Sequence, residues 1–196
     1  MPEQQLLPEQ RSVLRVRKKW GGQILQAHLY SVDTLKLNIP QALLASIVIC
    51  ESGGWKGAVR FEQAVFNRFR KNTPGLEGVN LLKASSSHGA CQIMGYHSKE
   101  LYDWTKKSGK GFGWLPYTID ELYEKPCEAC AVFLQYNAGD YVKNAKWEAV
   151  ARIYNGGSPT ANNKITNEYQ DKIQRYMKLF EWSIKEFPTE DKIPDV

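Results

Sequence analysis

The sequence lacks a long apolar run and a secretion signal. None of its 196 residues falls in an apolar stretch of the roughly 18 residues that a membrane-spanning helix requires, so we expect no integral membrane segment. The first ten residues are polar and acidic, whereas a secretion signal begins basic and then turns apolar. We therefore expect the chain to be synthesised in a cytoplasm and to stay there unless another factor releases it.

Cysteine is scarce, and the four cysteines do not form a convincing metal pattern. Cys127 and Cys130 make a single Cys-x-x-Cys pair with no second pair and no nearby histidine, which is a weak zinc signal. They fall one turn apart in a helical pattern, where free cysteines act as small hydrophobic residues. We expect these two cysteines and the other two, Cys50 and Cys91, to be reduced. We also expect no metal and no cofactor.

Positive charge is only in mild excess, at a formal +5. Its densest segment, residues 11–19, is most simply a solvated helix face. The aromatic-rich basic motifs of nucleic-acid binders are missing, so we expect no nucleic-acid partner. A chain with 42% hydrophobic and 24% charged residues has the composition of a globular protein with one real core.

Residues 38–54 form the stretch around which the chain is organised. Pro40 suits the first turn of a helix, and residues 41–50 are apolar or small almost all round. A helix without a polar face is normally buried at the centre of a domain. The Gly53-Gly54 pair supplies the left-handed residue that ends such a helix.

Glu51 is unusual because it places a carboxylate in the last turn of this core helix. The helix C-terminus carries partial negative charge, and apolar neighbours exclude water; both effects raise a carboxyl pKa. A glutamic acid that stays protonated near neutral pH can act as a general acid. The alternative is an ordinary exposed glutamate at a fraying helix end.

The remaining pattern predicts a mainly α fold with a minor β element. We predict one or two helices over residues 12–35, broken or bent at Gly21-Gly22, then a short strand over residues 58–62 and a helix through Phe69. Residues 76–88 read as irregular. A helix is predicted at residues 98–106 and is ended by the glycine-rich residues 108–113. A short helix is predicted after the Thr118 capping box, and another begins at Pro126. The last two predicted helices lie near residues 147–155 and near residues 169–180. The helix from Pro126 is expected to carry Phe133 and Tyr136 on its apolar side.

Three short motifs follow one another along the chain: Glu51-Ser52-Gly53-Gly54, then Gly89-Ala90-Cys91-Gln92-Ile93-Met94, then Ile153-Tyr154-Asn155-Gly156-Gly157. Together they resemble the soluble lytic transglycosylases of the lysozyme superfamily, especially versions encoded by phages. That family has an E-S motif, a G-L-M-Q-like motif and an A-Y-N motif in this order. Arg60-Phe61-Glu62 is similar to the aromatic-glutamate pair of the phage type. Ala90-Cys91 and Ile153 depart from the family pattern.

The resemblance implies an α+β lysozyme-like fold in which a helical domain surrounds the buried central helix. We expect an N-terminal helical extension at residues 1–37, the catalytic domain at residues 38–183, and a flexible tail at residues 184–196. It also implies that Glu51 is the catalytic acid and that other motif residues bind the sugar, namely Ser52, Glu62, Gln92, Tyr154 and Asn155. The alternatives are that Gln92 only satisfies backbone groups and that Tyr154 is a core aromatic.

The implied reaction is cleavage of peptidoglycan between N-acetylmuramic acid and N-acetylglucosamine. Acidic residues are sparse after Glu51, which suits one carboxylate acting first as acid and then as base, giving 1,6-anhydro products. We expect the Tyr154 hydroxyl to lie within hydrogen-bond reach of Glu51 or of the adjacent sugar. The expected partner is the glycan strand, reached by holin-dependent release or within a virion alongside other virion proteins. The alternatives are a hydrolytic muramidase that uses Glu62 and a non-catalytic wall-binding virion module.

Overall fold

The computed structural model describes residues 6–105 and 114–195 and has a mainly α fold with a small antiparallel sheet, which confirms the predicted fold class. The helices are α1 (Pro8–Asp33), α2 (Gln41–Ser52), α3 (Gln63–Asn72), α4 (Gly78–Ala84), α5 (Tyr102–Thr105), α6 (Ile119–Glu124), α7 (Pro126–Lys143), α8 (Trp147–Gly156) and α9 (Lys164–Glu186). The strands are β1 (Val59–Phe61), β2 (Ser86–His88) and β3 (Ile93–Met94). Within the described ranges, no helix is both long and apolar enough to cross a membrane.

Helix α2 is the buried centre that its sequence predicts. Every residue from Ala42 to Ile49 is buried, because α1, α7 and α9 all pack around it. Helix α2 ends at Gly53, whose φ of 61° is left-handed and whose N–H donates to the carbonyl of Ile49 at 3.0 Å. The all-round apolar composition of α2 therefore predicts its position correctly.

Helix α1 is a single helix across Gly21-Gly22, which decides between the one or two helices predicted for residues 12–35 in favour of one. Its buried side chains, such as Val16, Trp20 and Ile24, belong to the same hydrophobic core as α2. Burial of this face outweighs the low helix propensity of the glycine pair. Residues 8–33 thus pack as part of the main core, while the domain boundary at residue 37 stays a prediction.

The three strands form one antiparallel sheet in the order β1-β2-β3. Val59 pairs with His88 and Phe61 with Ser86, while His88 also pairs with Ile93. A second, smaller hydrophobic cluster beside the sheet includes Phe69 and Leu76. The prediction of irregular structure for residues 76–88 is wrong, since α4 and β2 lie there and are held by this cluster and by β1.

The other predicted elements agree with the structure to different extents. Helix α6 begins at the Thr118 capping box, where the Thr118 hydroxyl accepts from the Glu121 N–H at 3.2 Å. Helix α7 begins at Pro126, but Tyr136 is 54% exposed rather than on the buried side. Helix α5 begins at Tyr102, later than the predicted start at residue 98, and its predicted end at residues 108–113 lies outside the described residues. Helix α9 passes the predicted boundary at residue 183, and Ile193 beyond it is buried.

Candidate functional site

A cavity of about 680 Å³ lies between the helical core and the sheet. Helices α2, α7 and α8 supply one side, including Glu51, Asn137 and Tyr154; β1, β3 and the start of α3 supply the other, including Arg60 and Glu62. The cavity is therefore open to a ligand of several rings in size and has two carboxylates on its wall.

Burial raises the pKa of the Glu51 carboxyl above its ordinary value of 4.5. The neighbouring Tyr169 hydroxyl and the positive charge of Arg60 act in the opposite direction, but burial is the larger effect. Desolvation penalises the charged form because the cavity wall replaces water around the carboxylate. Glu51 can therefore hold a proton at a higher pH than a solvated glutamate can.

Tyr169 of α9 is the phenol that faces Glu51. Its ring is buried, and its hydroxyl oxygen has no partner at ordinary hydrogen-bond distance and angle among the described residues. Its interaction with the Glu51 carboxyl is nevertheless close enough to lower the pKa of Glu51. Burial, and then the charge of Glu51, raise the pKa of Tyr169 well above its usual range. Tyr169 thus stays protonated and can donate to Glu51 when that carboxyl ionises.

Glu62 lines the same cavity as Glu51, as expected for a site residue. Its Oε1 accepts a hydrogen bond from Nε of Arg60 at 2.7 Å. Glu62 stands just before α3, and its N–H donates to the carbonyl of Ser85 at 2.9 Å, which fixes the backbone. Glu62 is thus a half-buried carboxylate held in an ion pair.

Ser52 and Tyr154 both bind the segment that carries the second motif. The Ser52 hydroxyl donates to the carbonyl of Ala90 at 2.8 Å, and the Tyr154 hydroxyl donates to the carbonyl of Cys91 at 2.6 Å. Ser52 is not among the described residues that line the cavity, whereas Tyr154 is. The expected hydrogen bond between Tyr154 and Glu51 is therefore absent from the described structure, and the hydroxyl of Tyr154 serves the backbone instead.

Gln92 lines the cavity but uses its amide to hold the same segment. Its Nε2 donates to the carbonyls of Ala58 at 3.0 Å and Gly89 at 2.9 Å, and its Oε1 accepts from the Ser87 hydroxyl at 2.8 Å. Its φ of 51° is left-handed, which is unfavourable for a residue with a side chain. These three hydrogen bonds offset that strain, so the second motif is a rigid wall of the cavity.

Asn155 is exposed and lines the cavity next to Tyr154. Its Oδ1 accepts from the Thr166 hydroxyl at 3.3 Å, so its amide nitrogen is the group it presents to a ligand. The structure therefore brings Glu51, Glu62, Gln92, Tyr154 and Asn155 together at one cavity and places Ser52 behind its wall.

Sequence reasoning missed several cavity residues. Phe133, Asn137 and Tyr141 lie at intervals of four on α7 and form one stripe on the cavity side. Tyr169, which faces Glu51 without lining the cavity, falls in the last predicted helix, where the sequence does not mark it as a site residue. Helical spacing predicts that such residues share a face, but not that this face meets Glu51, because the meeting depends on how α7 and α9 pack on α2.

Among the described residues, no group of three or more histidine, cysteine, aspartate or glutamate side chains is placed to hold a metal ion. The four cysteines have free thiols, and three of them are buried. At the cavity itself, Glu51 offers a carboxyl that can transfer a proton, and its neighbours offer hydrogen bonds.

No protein-family model, curated protein or solved structure matches this chain.

Proposed function

We propose that this chain is a peptidoglycan lytic transglycosylase that cleaves the β-1,4 bond between N-acetylmuramic acid and N-acetylglucosamine. The observation that supports the proposal most is Glu51, a carboxyl whose pKa is raised by burial, at the wall of a cavity large enough for sugar rings. The three-motif resemblance adds support, since five of its six predicted site residues line that cavity.

In the proposed reaction, protonated Glu51 donates its proton to the glycosidic oxygen as the bond to the anomeric carbon breaks. The resulting carboxylate then accepts the proton of the C6 hydroxyl of the muramic acid, whose oxygen attacks the anomeric carbon. The product is a 1,6-anhydro ring, and no water is consumed. Glu51 acts as acid and then as base, as microscopic reversibility allows.

Tyr169 has a defined part in this proposal, because it favours the ionised form of Glu51 that exists between the two steps. The charge of Arg60 acts in the same direction. Neither side chain transfers the proton. We class both as positioning residues that hold the carboxyl and tune its pKa.

A hydrolytic muramidase is the second candidate, because Glu62 lines the same cavity as Glu51. Glu62 would then activate a water on the opposite face of the sugar. The ion pair with Arg60 holds this second carboxylate in place on the cavity wall, which is the observation that favours this candidate. The two candidates differ in whether the product gains a water.

The test is to digest purified peptidoglycan with the protein and to measure the masses of the released muropeptides. A transglycosylase gives anhydro products that are lighter by one water than the products of a muramidase. Hydrolysed products would replace the first proposal with the second. No released muropeptide, with retained binding to the wall, would indicate a non-catalytic wall-binding module instead.

Two matched variants assign the carboxylates. Glu51→Gln keeps the shape but removes the transferable proton, so turnover should fall by about 10² or more. Glu62→Gln should leave a measurable rate in a transglycosylase but should be nearly as damaging as Glu51→Gln in a muramidase. Substantial turnover by Glu51→Gln would show that Glu51 is not the acid.

On this proposal the site of action is the bacterial cell wall. The enzyme would reach the wall by holin-dependent release or as part of a virion, where other virion proteins would be its partners.

A further inference from the structure

Helix α1 packs against α2, α7 and α9 on its buried side and leaves the opposite side exposed. Exposed residues follow that side along the helix at alternating spacings of four and three residues, which place them on one face. They are Arg11, Arg15, Lys18, Gly22, Leu25, Leu29 and Val32. We call this surface the outer face of α1. At about 1.5 Å of rise per residue, it extends for about 30 Å along the molecule.

The N-terminal half of the outer face is cationic. Arg11 and Arg15 form no ion pair with any residue in the described ranges. Lys18 differs, because a carboxylate side chain of the C-terminal tail pairs with it. Glu9 and Asp33, the acidic residues of the helix, lie at its two ends. Positive charge on this half is therefore largely uncompensated and available to an anionic partner.

Trp55 widens the cationic half of the outer face. Together with Arg15 and Lys19, it lines a cavity of about 280 Å³ between α1 and the turn that follows α2. Its indole is 64% exposed. Tryptophan and basic side chains are the residues that proteins place at the boundary between water and lipid. The cationic half thus offers an apolar ring as well as charge.

The C-terminal half of the outer face is apolar. Leu25, Leu29 and Val32 are 44%, 49% and 40% exposed. Gly22 precedes them, and a Cβ built on it would meet no atom within 4 Å. These aliphatic side chains therefore project from the outside of a single helix, where a fluid lipid boundary can accept them one by one.

A second copy of α1 would fit the outer face poorly, although its spacing is that of a coiled-coil seam. In a parallel pair, Arg11 and Arg15 would face the same cations of the partner. In an antiparallel pair, the cationic half of each helix would cover the apolar half of the other and would bury charges without partners. An anionic surface with an apolar interior satisfies both halves.

We propose that the outer face of α1 binds the surface of an anionic phospholipid membrane. The headgroup phosphates pair with Arg11 and Arg15, and the apolar half enters the boundary between headgroups and acyl chains. No residue of α1 is among those that line the cavity of Glu51, so that cavity stays open to its own ligand. The inference goes beyond the proposed function and does not depend on it, because membrane binding is measured without any turnover.

The test is co-sedimentation of the protein with vesicles of phosphatidylcholine alone and of phosphatidylcholine mixed with phosphatidylglycerol. The first variant combines Arg11→Gln with Arg15→Gln. Its matched control combines Lys178→Gln with Lys185→Gln, which removes two positive charges from exposed positions of α9. Glutamine keeps the helix propensity of the residues that it replaces, and melting temperatures equal to that of the wild type verify that both variants fold.

The second variant tests the apolar half and combines Leu25→Gln with Leu29→Gln. Its matched control combines Ile165→Gln with Ile184→Gln, two isoleucines of α9 that are 72% and 41% exposed. Each pair removes two exposed aliphatic side chains, so the comparison separates the position of the side chains from their number.

We expect the wild type to sediment with the mixed vesicles, to do so less as salt screens the headgroup charge, and to bind phosphatidylcholine alone far more weakly. The arginine variant should lower the partition coefficient by about tenfold or more, since each cation near an anionic surface contributes a factor of about five. The leucine variant should lower it by about tenfold through lost apolar contact. Both controls should stay within about twofold of the wild type.

Three results would overturn the proposal. Wild-type protein that stays in the supernatant with mixed vesicles has no such surface, and an equal loss in a variant and its control would reduce the binding to overall charge or hydrophobicity. Binding to soluble polyphosphate as tight as to vesicles, and unaffected by the leucine variant, would make the face a polyanion site. A wild-type dimer in analytical ultracentrifugation that the leucine variant dissociates would make it a contact between copies.

Discussion

Three effects shift the pKa of the Glu51 carboxyl, and they do not cancel. Burial raises its pKa, and the neighbouring Tyr169 hydroxyl and the charge of Arg60 lower it by smaller amounts. Removing the Tyr169 hydroxyl or the Arg60 charge should therefore raise the pKa of the carboxyl further. This makes Tyr169 and Arg60 the residues through which the pH dependence of the site is adjusted.

We predict that Tyr169→Phe moves the alkaline limb of the pH–activity profile to higher pH. The hydroxyl favours ionised Glu51, so its loss raises the pKa of the carboxyl further and keeps the acid protonated to a higher pH. At the optimum pH, the activation barrier should rise by about 1–2 kcal/mol, the cost of leaving a buried charged group without a donor, and turnover should fall accordingly. The measurement is kcat against pH on solubilised peptidoglycan.

Tyr154→Phe is the matched control, since it removes a neighbouring buried hydroxyl that serves a backbone carbonyl. Loss of its 2.6 Å hydrogen bond to the carbonyl of Cys91 should lower the free energy of unfolding by about 1 kcal/mol without moving the pH profile. A shift of the alkaline limb in Tyr154→Phe, and none in Tyr169→Phe, would reverse the roles assigned to the two phenols.

At the scale of elements, α1 supports the end of α2 that carries Glu51. The carbonyl of Gly54 accepts from Nε1 of Trp20 and from Nζ of Lys19, each at 3.0 Å. A Cβ on Gly54 would lie 3.0 Å from Cγ2 of Val16 and 3.3 Å from Nε1 of Trp20. The predicted N-terminal extension is thus in direct contact with the turn that follows the candidate acid.

We predict that Gly54→Ala destabilises the fold more than Gly53→Ala. Both glycines have positive φ, so each alanine costs about 1–2 kcal/mol for its left-handed backbone. Only Gly54 also faces α1 at close range, because nothing lies within 4 Å of a Cβ on Gly53. The extra loss should be about 1 kcal/mol or more, typical of an overpacked contact, and urea unfolding measures it. Equal losses would show that the contact with α1 carries no energy.

At the scale of the whole molecule, two hydrophobic clusters meet at the cavity. The larger contains α1, α2, α7, α8 and α9, and the smaller contains parts of α3 and α4 beside the sheet. The site draws Glu51 from the first and Glu62 from the flank of the second. The geometry of the site therefore depends on the global fold. The titration of Glu51 in turn makes the stability of that fold depend on pH.

We predict that Glu51→Gln gains stability relative to the wild type as pH rises. The pKa of Glu51 is higher in the folded protein than in the unfolded chain, so protonated Glu51 favours folding. That contribution is fully present below the unfolded pKa and is lost as pH rises through the folded pKa. Glutamine does not titrate, so the difference in unfolding free energy should be small at about pH 4 and should grow toward about pH 8.

Chemical denaturation of both proteins across this pH range measures the difference, with Glu62→Gln as the control. Glu62→Gln makes the same chemical change at the other carboxylate of the cavity wall, so it separates the effect of Glu51 from that of losing any carboxylate of this cavity. A constant difference for Glu51→Gln would mean that Glu51 is solvated in the folded protein.

The features that depend on local patterns could be predicted from the sequence. Residues 41–50 are apolar all round, and only the centre of a domain accommodates such a helix. Thr118 and Glu121 form a capping box whose interactions span three residues, so its prediction needed no tertiary information. Glu51 became a candidate acid because it combines an apolar helix, a helix C-terminus and the glycine pair that follows.

The features that depend on packing over long separations were decided only by the tertiary structure. Tyr154 and Tyr169 are both phenols on apolar helix faces, and nothing local distinguishes the one that faces Glu51 from the one that binds Cys91. Ser52 stands next to Glu51 in the chain but faces Ala90, because adjacent residues on a helix point in different directions. Periodicity tells which side of an element is buried, but what that side meets is set by the packing of segments that lie far apart in the chain. For this reason the sequence could indicate Glu51 as the candidate acid, and only the fold could show that Tyr169 faces it.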